Sequence, residues 1–595
     1  MWYNVSKTTL SVFREVTVMD IGTKERIAMD IAVAQGLQQA DLVLKGGHVF
    51  NVFTRSWEEA DVAIRGTHVV GIGAYSGKRE IDVRGQYVTP GLMDAHVHLE
   101  SSMLSPRELA KILLLNGVTT VFADPHEIAN VLGAEGIEFF LSETEEMPLT
   151  VYLQVPSCVP ATHLDTSGAE LTVADMEALT KRSPRVRGLA EMMNYPGVIN
   201  GADDVLEKLA AFSDRIIDGH APGVTGPELE ALAAAGVAND HECNTVAEAR
   251  EKVARGMYVF LREGSAAHNL VDLLPVLDEV DERRCCLCTD DRHVDDLIEQ
   301  GSINYLLEIG VTQGVAAERL LPLATLNTAE CFGLRRLGAI APGFTADLCV
   351  FDDLERFQPV HVFKEGRPVV FRGRLDWESK PLRGVAVPTM HMPALDPDRF
   401  RIPGEAGKQL RVLRLSQNNL TTEALRLPPR LVDGLAVSDT ERDVLKLAVC
   451  ERHHGTGNVG LGFVQGIQLK RGAIVTTVGH DSHNLTVVGV DDEDMAVAAN
   501  RLRDIGGGIV VAADGEVKAS LPLPIAGLMS DRQADVVNAE MKQLLFWIHE
   551  LGVPEEFNPL MVLSFLSLPV IPELRLTDRG LVDVTHFTHV SIWTD

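Results

Sequence analysis

The sequence predicts an α/β protein: a (β/α)₈ TIM barrel, a small discontinuous β-sandwich domain flanking it, and a C-terminal α/β domain. Three observations carry that expectation. The chain of 595 residues is too long for a single core. Between about residues 90 and 335, apolar strand-like runs alternate with helical periodicity. Short β-rich runs lie on both sides of that region.

Residues 1–35 have a mixed helical pattern and are assigned to an N-terminal extension. The text then changes to DLVLKGGHVF, DVAIRG, HVVGIG and EIDVRGQYVTPG, short β runs divided by Gly and polar turns. The same texture returns in GAIAPGFTADLCVFD and PVHVFKEGRPVV. Residues 36–89 and 336–395 are therefore read as one discontinuous β-sandwich. From 90 to 335, strands are expected to end near His98, Asp124, Gln154, Glu191, His220, His241, Leu261 and Asp290, roughly twenty to forty residues apart. Helical patterns such as ADDVLEKLAAF and GPELEALAAAG fill the intervals. Residues 396–595 carry the strand-like TGNVGLGFVQGI, GAIVTTVGH, NLTVVGV and GGIVVAADGEV, with helices in EDMAVAANRLRDI and RQADVVNAEMKQLLFWIHEL.

Composition bounds the partners. The 84 acidic and 54 basic residues leave a formal charge of −30, which disfavours phosphate backbones and so nucleic acid. No run of about 18 apolar residues predicts a membrane span, and MWYNVSKTTLSVFREVTVMD lacks an apolar leader, so a cytoplasmic protein is expected. The eight cysteines form no paired CxxC framework and read as reduced core thiols, with Cys285-Cys286-Leu287-Cys288 as an alternative thiolate site.

The position of the ligating residue types is the strongest functional signal. His96 and His98 stand two apart on one strand, where side chains share a face. Glu191, His220, His241 and Asp290 each fall at the end of a later strand. A lone HxH or a lone strand-end Asp is weak evidence, since Asp there commonly caps the next helix. Six nitrogen and oxygen donors at one end of a barrel describe a two-ion hydrolytic site. Asp124 and His126, in FADPHEIAN, sit at the same mouth.

At these residues the chain resembles a known family. PGLMDAHVHLESS with GAIAPGFTADLCVFD resembles the amidohydrolase superfamily. DAHVHLESSML, ADPHEIANVLG, GLAEMMNYPGV, DGHAPG, DHECNT and TDDRH together resemble its adenine deaminases, as do the later ERHHGTGNVGLGFVQG and VGHDSHN. The likeness spans roughly residues 35 to 590. It implies two divalent ions, Mn²⁺ or Fe²⁺ with Zn²⁺ as the alternative. His96, His98 and Asp290 would hold the first and His220 and His241 the second. Many relatives bridge their ions with a carboxylated lysine; Glu191 stands at that place here and argues against hydantoinase or dihydroorotase chemistry.

The expected reaction is hydrolysis of adenine to hypoxanthine and ammonia. The alternative is another amidohydrolase acting on a small cyclic amide or N-acyl substrate. The PCxxC motif of the zinc deaminases that attack the same atom is absent. Asp290, Glu242 and His126 are the expected catalytic side chains. Asp124, His480 and His483 are expected to bind the purine, with the loop at 480–484 folding over the barrel mouth. A homo-oligomer, a dimer first, is expected.

Overall fold

In the computed structural model, which describes residues 23–265, 267–382, 388–415, 421–555, 557 and 559–595, a helix at Thr23–Ala34 precedes five strands. They are β1 (Leu42–Asn51), β2 (Ser56–Arg65), β3 (His68–Gly73), β4 (Glu80–Asp82) and β5 (Tyr87–Pro90). The helix seats Val33 against Ala40, Val43, Ala63 and Val70. The first 22 residues of the N-terminal extension lie outside the described residues.

Eight parallel strands follow: β6 (Leu92–Val97), β7 (Val118–Ala123), β8 (Thr150–Val155), β9 (Val186–Met192), β10 (Ile216–Gly219), β11 (Asn239–Asp240), β12 (Tyr258–Arg262) and β13 (Cys285–Cys288). Each ends within two residues of the position read from the sequence. β6, β7 and β13 are buried along their whole length, which is why they read as continuous apolar runs and not as alternating ones. β6 to β10 form one sheet and β11 to β13 another. Backbone hydrogen bonds join the two at both seams. Ala238 N–H donates to Ile217 C=O at 2.9 Å on one side, and Asp290 N–H to His96 C=O at 2.9 Å on the other. Helices such as Pro106–Leu115, Val173–Arg182 and Val246–Ala254 separate consecutive strands.

The cysteines of β13 have no ligating role here: Cys285, Cys286 and Cys288 are wholly buried. Among the described residues, no cluster of potential ligands includes a cysteine. Burial holds the Cys288 thiol well above its usual range, so it is a protonated core group. Cys288→Ala is expected to lower stability by about 1 kcal/mol in denaturant unfolding with bound metal unchanged. Lost metal in that variant would give the thiol a role this packing does not.

After the last of these helices the chain returns to the first sheet as β14 (Leu348–Phe351), β15 (Pro359–Lys364), β16 (Arg367–Phe371) and β17 (Arg374–Leu375). β14 pairs antiparallel with β5, Leu348 opposite Pro90. The two pieces thus make one nine-stranded sheet. Where the sequence predicts a sandwich, β5 lies between β1 and β14 and carries hydrogen bonding straight across both pieces. Leu42, Leu44, Val62, Ile64, Val88, Leu348 and Val350 share one of its cores.

The C-terminal part is a second nine-stranded sheet that includes Val444–Cys450, Val459–Gln465, Ala473–Thr476, Leu485–Gly489 and Gly508–Ala513. Met495, Ala498, Ala499 and Leu502 of the helix Asp492–Asp504 are buried against it. This part packs on the parallel strands' side of the molecule through several long-range bonds. Ser530 N–H donates to Met103 C=O at 2.8 Å, and Asn484 Nδ2 to Thr166 C=O at 2.8 Å. Among the described residues no helix is long and apolar enough to cross a membrane.

Candidate metal centre

The seam between β6 and β13 assembles the first candidate ligands. His96 is on β6 and His98 one residue past its end, while Asp290 lies two residues past β13. Asp290 N–H donates to His96 C=O, and His98 N–H donates to Asp290 C=O at 3.2 Å. Asp290 holds a left-handed backbone, φ 58°, a conformation that Asp tolerates better than most residues and that gathers at functional sites. Its Oδ1 lies 3.5 Å from His96 Nε2 and 3.1 Å from His98 Nε2, and the two imidazole nitrogens are 3.2 Å apart.

Glu191, near the end of β9, faces two ways. Its Oε1 lies 3.4 Å from His98 Nε2, and its Oε2 lies 2.6 Å from His220 Nδ1 and 3.3 Å from His241 Nε2. His220 and His241 follow β10 and β11 directly. His98 is oriented by its other nitrogen, Nδ1, 3.0 Å from the Asp124 carbonyl. Two ligands about 2.1 Å from one tetrahedral ion stand roughly 3.4 Å apart, the spacing found here, and imidazole with carboxylate is the donor set of Zn²⁺, Fe²⁺ or Mn²⁺. The donors fit divalent metal.

Burial would push the Glu191 and Asp290 carboxyls up, but the facing histidines, and Arg262 for Asp290, hold both well below the usual range. Arg262, the last residue of β12, donates to Asp290 Oδ2 at 2.8 Å and pairs with Glu242 Oε1. Burial again opposes ionisation of Glu242, yet Arg262 and the neighbouring histidines bring it down to about 2.

His126 opens the helix His126–Leu132, with Nδ1 3.3 Å from both Glu191 Oε1 and Asp124 Oδ2. Asp124, expected against the purine, is only 1% exposed and takes the His126 N–H at 3.1 Å. The C-terminal loop does reach this region: His480 and His483 contact Glu127, the neighbour of His126. His483 accepts the Gly479 N–H on Nδ1 at 3.1 Å and is 1% exposed. His480 stacks on Phe565 at 4.4 Å and lines a small cleft of about 20 Å³. Ser101, Asp291, His293, Val478, Leu560 and Met561 also line it.

Three residues of this centre escape sequence reasoning. Arg262 sits one position past the expected end of its strand, Glu127 reads as an ordinary acid in a first helical turn, and Asp481 lies in a loop far away in sequence. Only the neighbouring ligand types give a hint of them.

Residues 87–369 match the Amidohydrolase family, and residues 419–588 match the Adenine deaminase C-terminal domain. A protein of Carboxydothermus hydrogenoformans named "Adenine deaminase 2" is 49% identical over 563 residues, 94% of this chain and 98% of its own length. Proteins named "Adenine deaminase" are 45% identical in Kosmotoga olearia over 95% of this chain and 98% of theirs, and 46% identical in Desulfatibacillum aliphaticivorans over 95% and 99%.

Proposed function

We infer the chemistry of this centre from the premise that the chain belongs to the adenine deaminase family of amidohydrolases, and it accordingly hydrolyses adenine to hypoxanthine and ammonia. One observation carries the assignment of residues: four imidazoles and two carboxylates converge around Glu191 at the carboxyl end of the parallel strands. Those strands, within residues 90–335, are read as one (β/α)₈ barrel. His96, His98 and Asp290 would hold one divalent ion, His220 and His241 a second, and Glu191 would span both. Mn²⁺ or Fe²⁺ suits this mixed set. Ions held there supply a water that loses its proton near neutral pH.

The chain's own groups do the remaining work. Attack at C6 of the purine needs a base for the water's proton and an acid for the departing amine. Asp290 serves both ends, taking the proton and returning it to the leaving nitrogen. Arg262 keeps that carboxylate charged and fixes its rotation. Glu242 accepts a hydrogen bond from a purine N–H. His126, held between Asp124 and Glu191, faces the reacting side. His480 and the apolar wall behind it shield the ring from water.

Mn²⁺-loaded protein given adenine is expected to release hypoxanthine and ammonia in equal amounts. Release of ammonia or acid from cyclic or N-acyl amides, with adenine untouched, would transfer the site to that substrate class. Glu191→Gln is expected to retain less metal than the wild type, because a neutral amide bridges two cations poorly. Equal metal by elemental analysis, with unchanged turnover, would remove Glu191 from the centre.

A further inference from the structure

On the far side of His126 a second group of ligating atoms comes together from two distant segments. One such atom each of His126, Glu127, His480 and Asp481 lies within 4.8 Å of all the others, and all four residues are buried. His126 turns Nδ1 to Glu191 and Nε2 to this group, 3.1 Å from Glu127 Oε1 and 3.9 Å from Asp481 Oδ1. His480 Nδ1 touches the same Glu127 oxygen.

These atoms are close but are not hydrogen-bonded. Glu127 Oε1, Glu127 Oε2 and Asp481 Oδ2 are all buried without a hydrogen-bond partner, a costly state for a carboxylate. Elsewhere this chain satisfies such groups. Glu451 receives the N–H of His453, His454 and Thr456 together with the Thr456 hydroxyl. Glu248 receives Lys252 Nζ at 2.7 Å and the N–H groups of Gly223 and Asn244. Glu127 and Asp481 have no comparable set of donors. His483 is a neighbour and not a member of the group. Its Nδ1 accepts from Gly479, and its Nε2 contacts Glu127 Oε2 outside hydrogen-bond geometry.

We propose that His126, Glu127, His480 and Asp481 bind a further divalent cation, separate from the pair at Glu191, which ties the C-terminal loop to the start of the helix at His126. Two neutral imidazoles and two carboxylates balance a dication, and the N₂O₂ set selects Zn²⁺, Fe²⁺ or Mn²⁺ over Ca²⁺ or Mg²⁺. His126 places one nitrogen toward each site, so the loop that walls the cleft is held by the same side chain that borders the reacting centre. The proposal rests on the paired-ion reading only for the total count.

Crystals of the full chain grown with Mn²⁺ are expected to show anomalous density between Glu127 and His480 as well as around Glu191. Density at Glu191 with none at Glu127 overturns this proposal and leaves the paired-ion reading standing. Density at Glu127 with none at Glu191 supports it and sinks the pair. In solution, Glu127→Gln and His480→Ala are each expected to lose about one equivalent of Mn²⁺ per chain, while His483→Ala, which removes no ligand, keeps it. Equal metal in the wild type and both ligand variants overturns the site and makes Glu127 an ion-pair partner of three histidines, His126, His480 and His483. Chelation of the wild type is expected to increase amide exchange in residues 479–484, and unchanged exchange counts against the tie.

Discussion

Asp290→Asn is expected to lower adenine turnover by about a thousandfold or more, at the upper part of the range for removing a general acid–base group. The asparagine keeps the backbone bonds to His96 and His98 that close the β6–β13 seam, so far-UV circular dichroism should be unchanged. Two losses combine. The amide accepts no proton from the attacking water, and it ligates a cation more weakly than the carboxylate beside His96 and His98. A thousandfold loss corresponds to about 4 kcal/mol of transition-state stabilisation. Ammonia release under saturating adenine, with metal content measured on the same sample, separates the two. Near-native turnover in a metal-replete variant would take the proton transfer away from Asp290.

Arg262→Met is expected to have the largest effect on stability. Arg262 is buried and is shared by Glu242 and Asp290, the first in direct contact and the second at 2.8 Å. Removing the cation leaves two buried carboxylates facing each other, and breaking a buried pair in this way costs about 3–5 kcal/mol. A chain with several cores does not unfold in one step, so the unfolding midpoint of the metal-loaded protein is the quantity to follow. Adding Glu242→Gln to Arg262→Met should recover part of the loss, because one of the stranded charges is then neutral. A single variant with a native midpoint, or a double variant less stable than the single, would show that Arg262 does not balance these groups.

Much of the strand order is legible in the sequence. Parallel strands buried on both faces read as unbroken apolar runs, and a ligating residue type directly after such a run marks its carboxyl end. That is why the observed ends of β6 to β13 lie within two residues of His98, Asp124, Gln154, Glu191, His220, His241, Leu261 and Asp290. The strands Val459–Gln465, Ala473–Thr476, Leu485–Gly489 and Gly508–Ala513 were visible for a similar reason. The strand Val444–Cys450, central to the same sheet, carries Lys446 in its apolar run and did not stand out.

Periodicity and residue type are local properties of a chain, and the sequence by itself determined what they encode: the alternation of strand and helix, the six candidate ligands, and a C-terminal loop dense in polar groups. Contacts between distant segments carry no local signal, and these the tertiary structure decided. It joined β5 to β14 in one sheet, paired Arg262 with Glu242 and Asp290, and set Asp124 against the His126 N–H and His483 against the Gly479 N–H. It also brought His480 and Asp481 to Glu127 across more than half the chain. An acid in a first helical turn and a polar loop after a strand each have a sufficient local explanation. Only their meeting, with buried oxygens that no donor satisfies, marks them as one site.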